Sequence, residues 1–454
     1  MRKLLLATLT LFCGVHAAKG VPPDSSSMSG LQTRASTQLQ VRTGTEDGLH
    51  FTLKEAENYA LANQPQIASA KLTADAVRQE IRQARSNFFP QVYLESDSVY
   101  APENTRLAAP AGLNNPTIFS RQSDGVTVSQ LITDFGRTYE LTESAHFRAD
   151  AAGDRANVAR AIVVLAVDKS FFDVLRANAV LRVANDTVNA RSIAEKQIST
   201  LAKNQLKSIL DANFAEVNLN EAKLLQIAAK SAVSQAEAEL STALGFSDTQ
   251  HFILHEEPLD LSMAASPDAL IQQALNQRPE LASLHNEMEA SQRFAKAEDA
   301  SRYPKITALG AAGVNPVANP KQLESTYYTA GVNVELPVAT GGNLDAKAQE
   351  AHLLSQAAAQ NLIDAQNTIT RDVRVAWLDA NTAKEKIGVT TELVQTAAQE
   401  QKLAEARYRL GTSSIVELIQ AQLNYTEAEL QDTSAKYDYQ SGRALLNFTT
   451  GSSF

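Results

Sequence analysis

Apolar and polar residues alternate most clearly late in the chain. From Thr329 to Leu336, apolar residues occupy the even positions, and polar residues or glycine occupy the odd ones. This period of two predicts a β-strand with lipid on one face and water on the other. Three other strand-like segments, 91–100, 123–132 and 305–314, alternate less cleanly. Together with 327–336, they have the length that a tilted membrane strand needs, about 9–11 residues.

Aromatic residues gather near the ends of these four segments, as an interfacial girdle requires, although ordinary core packing is an alternative. They are Phe88, Phe89, Tyr93, Tyr100, Tyr303, Tyr327 and Tyr328. The connections 101–122 and 315–326 are rich in Pro, Gly and Asn, which predicts exposed loops. Four strands cannot close a membrane barrel, because the smallest such barrels have about eight. The chain is therefore expected to assemble with other copies of itself.

Proline placement predicts the helices. All 14 prolines lie within residues 22–116 and 258–337, which leaves 117–257 and 338–454 free of the residue that breaks helices. These free segments are rich in Ala, Leu, Gln, Glu and Lys, which favour helix. The pattern predicts two long helices and four shorter ones. The long helices are predicted at 137–202 and 343–409. The shorter ones are predicted at 53–89, 207–244, 267–302 and 413–449.

The two halves of the chain match each other in order. Residues 60–65 match 274–279, and residues 86–92 match 300–306, both at an offset of 214 positions. Residues 131–136 then match 336–341 at an offset of 205. Ordered matches that include prolines predict a duplication. Each long helix should span about 100 Å. Two shorter helices placed end to end would match the length of one long helix. This arrangement predicts a rod with strands at one end and helical turns at the other.

The first residues predict export. Arg2 and Lys3 precede an apolar run from Leu4 to Phe12, and Val15-His16-Ala17 gives the small-x-small pattern of a cleavage site. Residues 1–17 are therefore predicted to be a signal peptide, whose removal also removes the only cysteine, Cys13. A lipid anchor on Cys13 is the alternative.

The remaining chain divides by these patterns. We expect a flexible N-terminal segment (18–50), a first repeat (51–246), an inter-repeat equatorial segment (247–266) and a second repeat (267–454). No later stretch offers 18 consecutive apolar residues, so no helical membrane span is predicted. The net charge of -10 disfavours nucleic acid as a partner.

A stretch near the C-terminus resembles the TolC-like outer-membrane efflux protein family, the outer-membrane factors. It runs from Ala406 to Gln422 with the sequence ARYRLGTSSIVELIQAQ, and looks like that family's second helix-turn-helix tip. The motifs Asn63-Gln64-Pro65, Arg278-Pro279-Glu280 and Thr340-Gly341-Gly342 also fit the family. The resemblance covers about 50–451 in the family's order.

The resemblance implies a mainly α-helical fold with a membrane β-barrel. Three chains would form a homotrimer whose twelve-stranded barrel lies in outer-membrane lipid and continues as a long periplasmic α-helical barrel. A periplasmic adaptor protein and an inner-membrane transporter would feed substrate into it. The implied function is the exit duct of an efflux pump or a type I secretion system. From the residues alone, a secreted or periplasmic helical-bundle interaction protein without a pore is the alternative.

The helical turns supply the candidate site residues. Gly411 can end one helix in a left-handed conformation, and Ser414 can cap the next helix. At the first turn, Asn204 tolerates the left-handed conformation. The resemblance makes both turns adaptor-docking tips, with Arg407, Tyr408, Gly411, Ser414, Asn204 and Ser208 as candidates. It also places Glu417 and Gln420, which share a helix face, at the pore constriction. A solvated helix face is the plainer interpretation of Glu417.

The sequence contains no motif that indicates enzyme activity. It has no phosphate-binding loop, nucleophile elbow or paired catalytic carboxylates. His251 and His255 lie beside Glu256, but the apolar residues between them predict a strand, where a spacing of four does not suit a metal. We therefore expect no enzyme activity, no cofactor and no metal site.

Overall fold

The computed structural model describes residues 48–102, 120–317 and 324–452. The predicted signal peptide (1–17) lies outside the described residues, as do most of the predicted flexible segment (18–50) and of the two predicted strand-to-strand loops. Within the described residues the chain is mainly helical, which confirms the predicted class.

The described residues form eight helices and six strands. The helices are α1 (Leu53–Asn63), α2 (Pro65–Ser86), α3 (Arg137–Lys203), α4 (Ile209–Leu244), α5 (Asp268–Gln277), α6 (Pro279–Ala300), α7 (Asn343–Arg409) and α8 (Ile415–Thr450). The strands are β1 (Leu49–Phe51), β2 (Gln91–Val99), β3 (Arg121–Thr133), β4 (Phe252–Leu254), β5 (Lys305–Val317) and β6 (Thr326–Glu335). Strands β3 and β5 extend a few residues into the segments that were predicted to be loops.

The two long helices have equal lengths. Helices α3 and α7 contain 67 residues each, within a residue of the predicted bounds. Both start after a glycine with positive φ, Gly136 at 98° and Gly342 at 81°. Both lie in segments that lack proline, so no backbone hydrogen bond along them is lost. At 1.5 Å per residue each spans about 100 Å.

The predicted continuous helices 53–89 and 267–302 are wrong in one respect, because each consists of two helices. Gln64 (ψ 119°) separates α1 from α2, and Arg278 (ψ 122°) separates α5 from α6. Each of these residues precedes a proline, Pro65 or Pro279, that occupies the first turn of the following helix. The proline ring disfavours helical backbone in the residue before it, which explains both bends.

Each bend contacts the end of another short helix. The Nε2 of Gln64 donates to the carbonyl oxygens of Thr242 and Ala243, both at 3.0 Å. Gly245 ends α4 with φ of 90°, and a Cβ there would lie 3.2 Å from the Asn63 oxygen. The short helices therefore meet end to end in the first half of the chain.

The second half contains the same junction. Gly451 ends α8 with φ of 75°, and a Cβ there would lie 3.4 Å from Gln277. The guanidinium of Arg278 lies 5.5 Å from the ring centroid of Phe448. In each half, a bend before proline meets a helix-ending glycine, and the short helices together run beside a long one.

Four strands form one antiparallel sheet in the order β2-β3-β5-β6. The register aligns Leu94 with Val126, then with Ala312 and Tyr328, so these four apolar residues form a row on one face. Leu94 is 84% exposed and Tyr328 is 91% exposed on that face. Glu95 lies on the opposite face, whereas Ser96 and Asp124 lie on the same face as Leu94. Within the described residues, β2 and β6 each pair on one side only.

A smaller sheet marks the middle of the molecule. Strands β1 and β4 pair in parallel, with Phe51 opposite Leu254, and β4 lies inside the predicted inter-repeat segment (247–266). Leu49 and His50 belong to β1, although the sequence assigned them to the flexible segment. The largest apolar core surrounds this sheet and includes Phe171 of α3 and Leu240 of α4. None of the helices within the described ranges is both long enough and apolar enough to cross a membrane.

The close packing of the large sheet around Gly313 can be tested by mutation. A Cβ on Gly313 would meet the backbone carbonyl oxygen of Asp124 and would lie 2.7 Å from the Cζ of Tyr327. We expect Gly313→Ala to displace the neighbouring strand and the Tyr327 ring, and to lower the free energy of unfolding by about 1–3 kcal/mol. Urea unfolding in detergent measures the loss. Gly331→Ala is the matched control, because a Cβ there meets no atom within 4 Å. Equal stability of both variants would refute this close packing at Gly313.

Candidate functional site

The two helical turns lie side by side at the end of the molecule away from the large sheet. The first turn joins α3 to α4, and the second joins α7 to α8. A small core buries side chains from all four helices between them. Its members are Ile198, Ala215, Ala404, Tyr408, Ile415, Leu418 and Ala421.

The second turn has the predicted geometry. Gly411 takes φ of 74°, and the amide of Thr412 donates to the carbonyl of Arg407 at 2.9 Å. The hydroxyl of Ser414 accepts from the amide of Glu417 at 3.3 Å and so caps α8. The left-handed glycine ends one helix and the serine starts the next, as expected from the sequence.

The first turn uses a different residue from the one predicted. Asn204 has φ of -87° and is not left-handed, so that expectation was wrong. Gln205 takes the positive φ, 61°, and the amide of Leu206 donates to the carbonyl of Leu201 at 2.9 Å. The Nδ2 of Asn204 instead donates to the carbonyl of Thr200 at 2.9 Å. The hydroxyl of Ser208 accepts from the amide of Leu210 and caps α4.

Tyr408 joins the two turns. It is only 6% exposed, and its hydroxyl donates to the Oδ2 of Asp211 at 3.3 Å. The Nζ of Lys207 lies 4.1 Å from its ring centroid. Burial, together with the charge and hydrogen bond of Asp211, raises the pKa of Tyr408 to about 12. Tyr408 therefore packs between the two turns within one chain. No sequence pattern indicated its contact with Asp211, which lies 197 positions away.

Glu417 and Gln420 lie on one exposed face of α8, one turn apart. The Oε1 of Glu417 accepts from the Nη1 of Arg407 at 2.7 Å. The family resemblance implied a docking surface for Arg407 and a constriction for Glu417, and the structure brings the two together as an ion pair. Gln420 donates to Asn424, which in turn donates to Glu400 at 3.2 Å.

The first turn also exposes apolar side chains that the sequence analysis did not single out. Leu206, Ile209 and Leu210 are exposed by 70%, 74% and 60%. Near the second turn, Leu410 and Val416 are exposed as well. An apolar surface of this kind at the end of a rod is typical of a site for another protein.

The histidines of the middle region do not form a metal site. His251 Nδ1 lies 2.6 Å from Glu237 Oε1, and the rings of His50 and His255 are 6.1 Å apart. Across residues 48–102, 120–317 and 324–452, no group of three or more His, Cys, Asp or Glu side chains is arranged to hold a metal ion.

The chain is similar to known proteins along most of its length. The chain is similar to the outer membrane protein TolC of Vibrio cholerae, with 24% identity over 397 residues, 85% of this chain and 87% of that protein. It is also similar to the toluene efflux pump outer membrane protein TtgC of Pseudomonas putida, with 23% identity over 398 residues, 83% of this chain and 78% of that protein.

Solved structures share the fold. The Campylobacter jejuni CmeC outer membrane channel superposes with a TM-score of 0.76 at 17% identity, over 88% of this chain and 86% of that one. A membrane protein from Pseudomonas aeruginosa superposes with a TM-score of 0.76 at 21% identity. The match covers 88% of this chain and 93% of that one.

The family itself is identified by a sequence profile. The profile described as "Outer membrane efflux protein" matches residues 58–246 and 270–452, which is most of the chain. The predicted resemblance, the outer-membrane location and the absence of enzyme activity are confirmed by that match and by the named relatives. This chain belongs to the outer membrane efflux protein family.

Proposed function

We propose that the chain is the outer-membrane duct of an efflux pump, through which substrates pass from an inner-membrane transporter to the exterior. The observation that carries the proposal is the large sheet. Within the described residues its two edge strands have no second partner, and one face carries a row of exposed apolar residues. In lipid, open edges leave backbone groups unpaired. A helical-bundle protein without a pore has no use for such a sheet.

Assembly of copies would close the sheet. Strand β2 of one copy would pair with β6 of the next, and the apolar face would then meet lipid. The smallest membrane barrels have about eight strands, so one copy is too few. The resemblance to TolC-like proteins favours three copies and a twelve-stranded barrel.

Exposed apolar side chains along the helices support the same assembly. Leu224 and Ile227 of α4 are 67% and 63% exposed, and Val389 and Leu403 of α7 are 69% and 63% exposed. Such faces are expected to be covered by neighbouring helices. Three copies side by side would enclose a helical tunnel that extends into the periplasm.

The two halves of the chain would contribute equally to this tunnel. Helices α3 and α7 have the same length, as do α4 and α8 with 36 residues each. The family profile also matches within both halves. These observations support two repeats, 51–246 and 267–454, joined by the equatorial segment 247–266.

The turns would form the end of the tunnel. Their exposed apolar residues, Leu206, Ile209 and Leu210, support docking of a periplasmic adaptor there. Arg407, Gly411, Ser414, Asn204 and Ser208 would shape that surface, and Tyr408 would hold its two turns together. Glu417 and Gln420 would line the constriction. TtgC is named as the outer membrane protein of a toluene efflux pump. That name supports efflux rather than type I secretion as the function of this chain.

Assembly is tested first. Protein extracted in mild detergent should have the mass of three chains, each 49.0 kDa before signal removal. Light scattering with detergent correction measures this mass. A monodisperse monomer would contradict the proposed duct, because one chain cannot enclose a pore.

Gly411 tests the docking surface. Gly411→Val should strain the left-handed turn by about 1–2 kcal/mol without a clash, because a Cβ there meets no atom within 4 Å. Export of a fluorescent substrate should fall in cells that depend on this duct, while the trimer still reaches the membrane. Gly411→Asn is the control, since Asn tolerates this conformation. Normal export by the valine variant would argue against docking at the second turn.

Arg407 and Glu417 test the constriction. Because they form an ion pair, Glu417→Gln should leave Arg407 unpaired and shift ion preference towards anions. Arg407→Gln should expose Glu417 and shift it towards cations. The double variant should return close to the wild type. Reversal potentials of single channels in a salt gradient measure all three.

A control variant and a stability measurement complete the test of the constriction. Arg409→Gln is a control, because Arg409 lies 3.8 Å from Glu405 and has no contact with Glu417 among the ion pairs of the described residues. Trimer stability should change little in every variant, since an exposed ion pair contributes up to about 1 kcal/mol. Ion preference that stays the same in both single variants would place the constriction elsewhere.

A further inference from the structure

The side chain of Tyr327 lies along the large sheet. The register pairs Tyr327 of β6 with Gly313 of β5, and Gly313 with Gly125 of β3. A Cβ on Gly313 would lie 2.6 Å from the hydroxyl oxygen of Tyr327, and a Cβ on Gly125 would meet the same oxygen. Because neighbouring strands are about 4.8 Å apart, the side chain must reach over β5 towards β3. The ring therefore runs along the sheet and does not project from it.

Two glycines leave the space that the ring occupies. A Cβ on Gly125 would lie 3.1 Å from the Cζ of Tyr327, and Gly125 is buried. A side chain at this position would push the ring off the sheet. In the next row on the same face, Thr329 pairs with Ala311, whose Cβ points into the corresponding space.

A hydrogen bond holds the end of the ring. The hydroxyl of Ser123 donates to the hydroxyl oxygen of Tyr327 at 3.3 Å. Ser123 lies two residues before Gly125, so both are on the same face of β3. Tyr327 is only partly exposed, whereas Tyr328 on the opposite face is 91% exposed. Of these two adjacent tyrosines, the first packs on the sheet and the second points away from it.

The face that carries Tyr327 is the one that would line the proposed duct. The opposite face carries the row of exposed apolar residues from Leu94 to Tyr328, which suits lipid. The other residues of β6 on the Tyr327 face are polar or glycine, as the interior of a membrane barrel requires. They are Thr329, Gly331, Asn333 and Glu335. In three copies, three Tyr327 rings would lie at one height of the lumen.

We propose that Gly125 and Gly313 hold Tyr327 flat against the wall of the lumen, and that this packing sets the largest solute that the outer end of the duct admits. The proposal rests on the proposed duct and assigns its width to these residues. Tyr327 is the second residue of β6, so it lies at the end of the sheet away from the helices. Pore diameter decides which solutes pass, and three rings that pointed inward would narrow the lumen.

A thiol deeper in the lumen measures this width. Asn333 lies on the face of Tyr327, six positions nearer to the helices along β6. Asn333→Cys is labelled in intact cells with membrane-impermeant maleimides that carry polyethylene glycol chains of increasing length. The chain without this substitution is the blank. The largest reagent that labels the trimer readily is then compared with a small sulfonated maleimide in each variant.

Gly125→Ala should slow labelling by the large reagent by roughly threefold or more, while the small reagent keeps its rate. Adding Tyr327→Ala to this variant should restore the rate, because the displaced ring is then absent. Tyr327→Ala alone should change the rate little, since a flat ring already leaves the lumen open. Gly331→Ala is the matched control, because it lies on the same face and a Cβ there meets no atom within 4 Å.

Thr329→Tyr tests the same width if Gly125→Ala does not assemble. A tyrosine at this position faces Ala311, whose Cβ denies the ring a flat position, so the ring should stand in the lumen. We expect this variant to slow the large reagent and to leave the rate of the small one unchanged. The mass of each variant in mild detergent verifies that it is a trimer.

Two results would overturn the proposal while the duct stands. Faster labelling of Tyr327→Ala by the large reagent would show that the native ring already obstructs the lumen. Unchanged labelling of both Gly125→Ala and Thr329→Tyr would show that the position of a ring does not set the width. A small reagent that fails to reach the thiol at position 333 in the trimer would instead contradict the duct, and this proposal with it.

Discussion

A helix of 67 residues needs a partner of its own length, and this chain provides one only by placing shorter helices end to end. An isolated helix of that length would expose a continuous side to water, so its stability depends on packing along its whole length. The bends before Pro65 and Pro279 and the glycines at 245 and 451 allow those shorter helices to meet without a gap. The positions of the small middle sheet, the turns and the large sheet all follow from this match in length.

Much of this architecture could be predicted from the sequence because proline reports directly on the backbone. The helices in the segments without proline begin and end within about two residues of their predicted bounds. The bends at Gln64 and Arg278 were missed because Ala60–Asn63 and the residues that precede Arg278 favour helix, and proline is well tolerated in a first helical turn. The restriction that proline places on the preceding residue was the signal that could have located both bends.

The candidate site was less predictable, because its important contacts join distant parts of the chain. Gly411 and Ser414 act through local backbone geometry, and local sequence identified them. Tyr408 and Asp211 are 197 positions apart, and no local pattern indicates that they meet. Arg407 and Glu417 are close in sequence, but their pairing depends on how the turn between them closes. The left-handed residue of the first turn was assigned to Asn204 by intrinsic preference, whereas the geometry of the helix end places Gln205 there.

The matched lengths of the helices also restrict how this molecule can vary during evolution. Deleting one residue from α3 would rotate everything beyond it by about 100° and shorten it by about 1.5 Å. Contacts at the bend near Gln64 and at the turn near Gln205 could then not both be kept. A tolerated change of length would require compensating changes in α4 or α2, and matching ones in the second half. Insertions and deletions should therefore accumulate in the connections between strands, while the helical shaft keeps a fixed length.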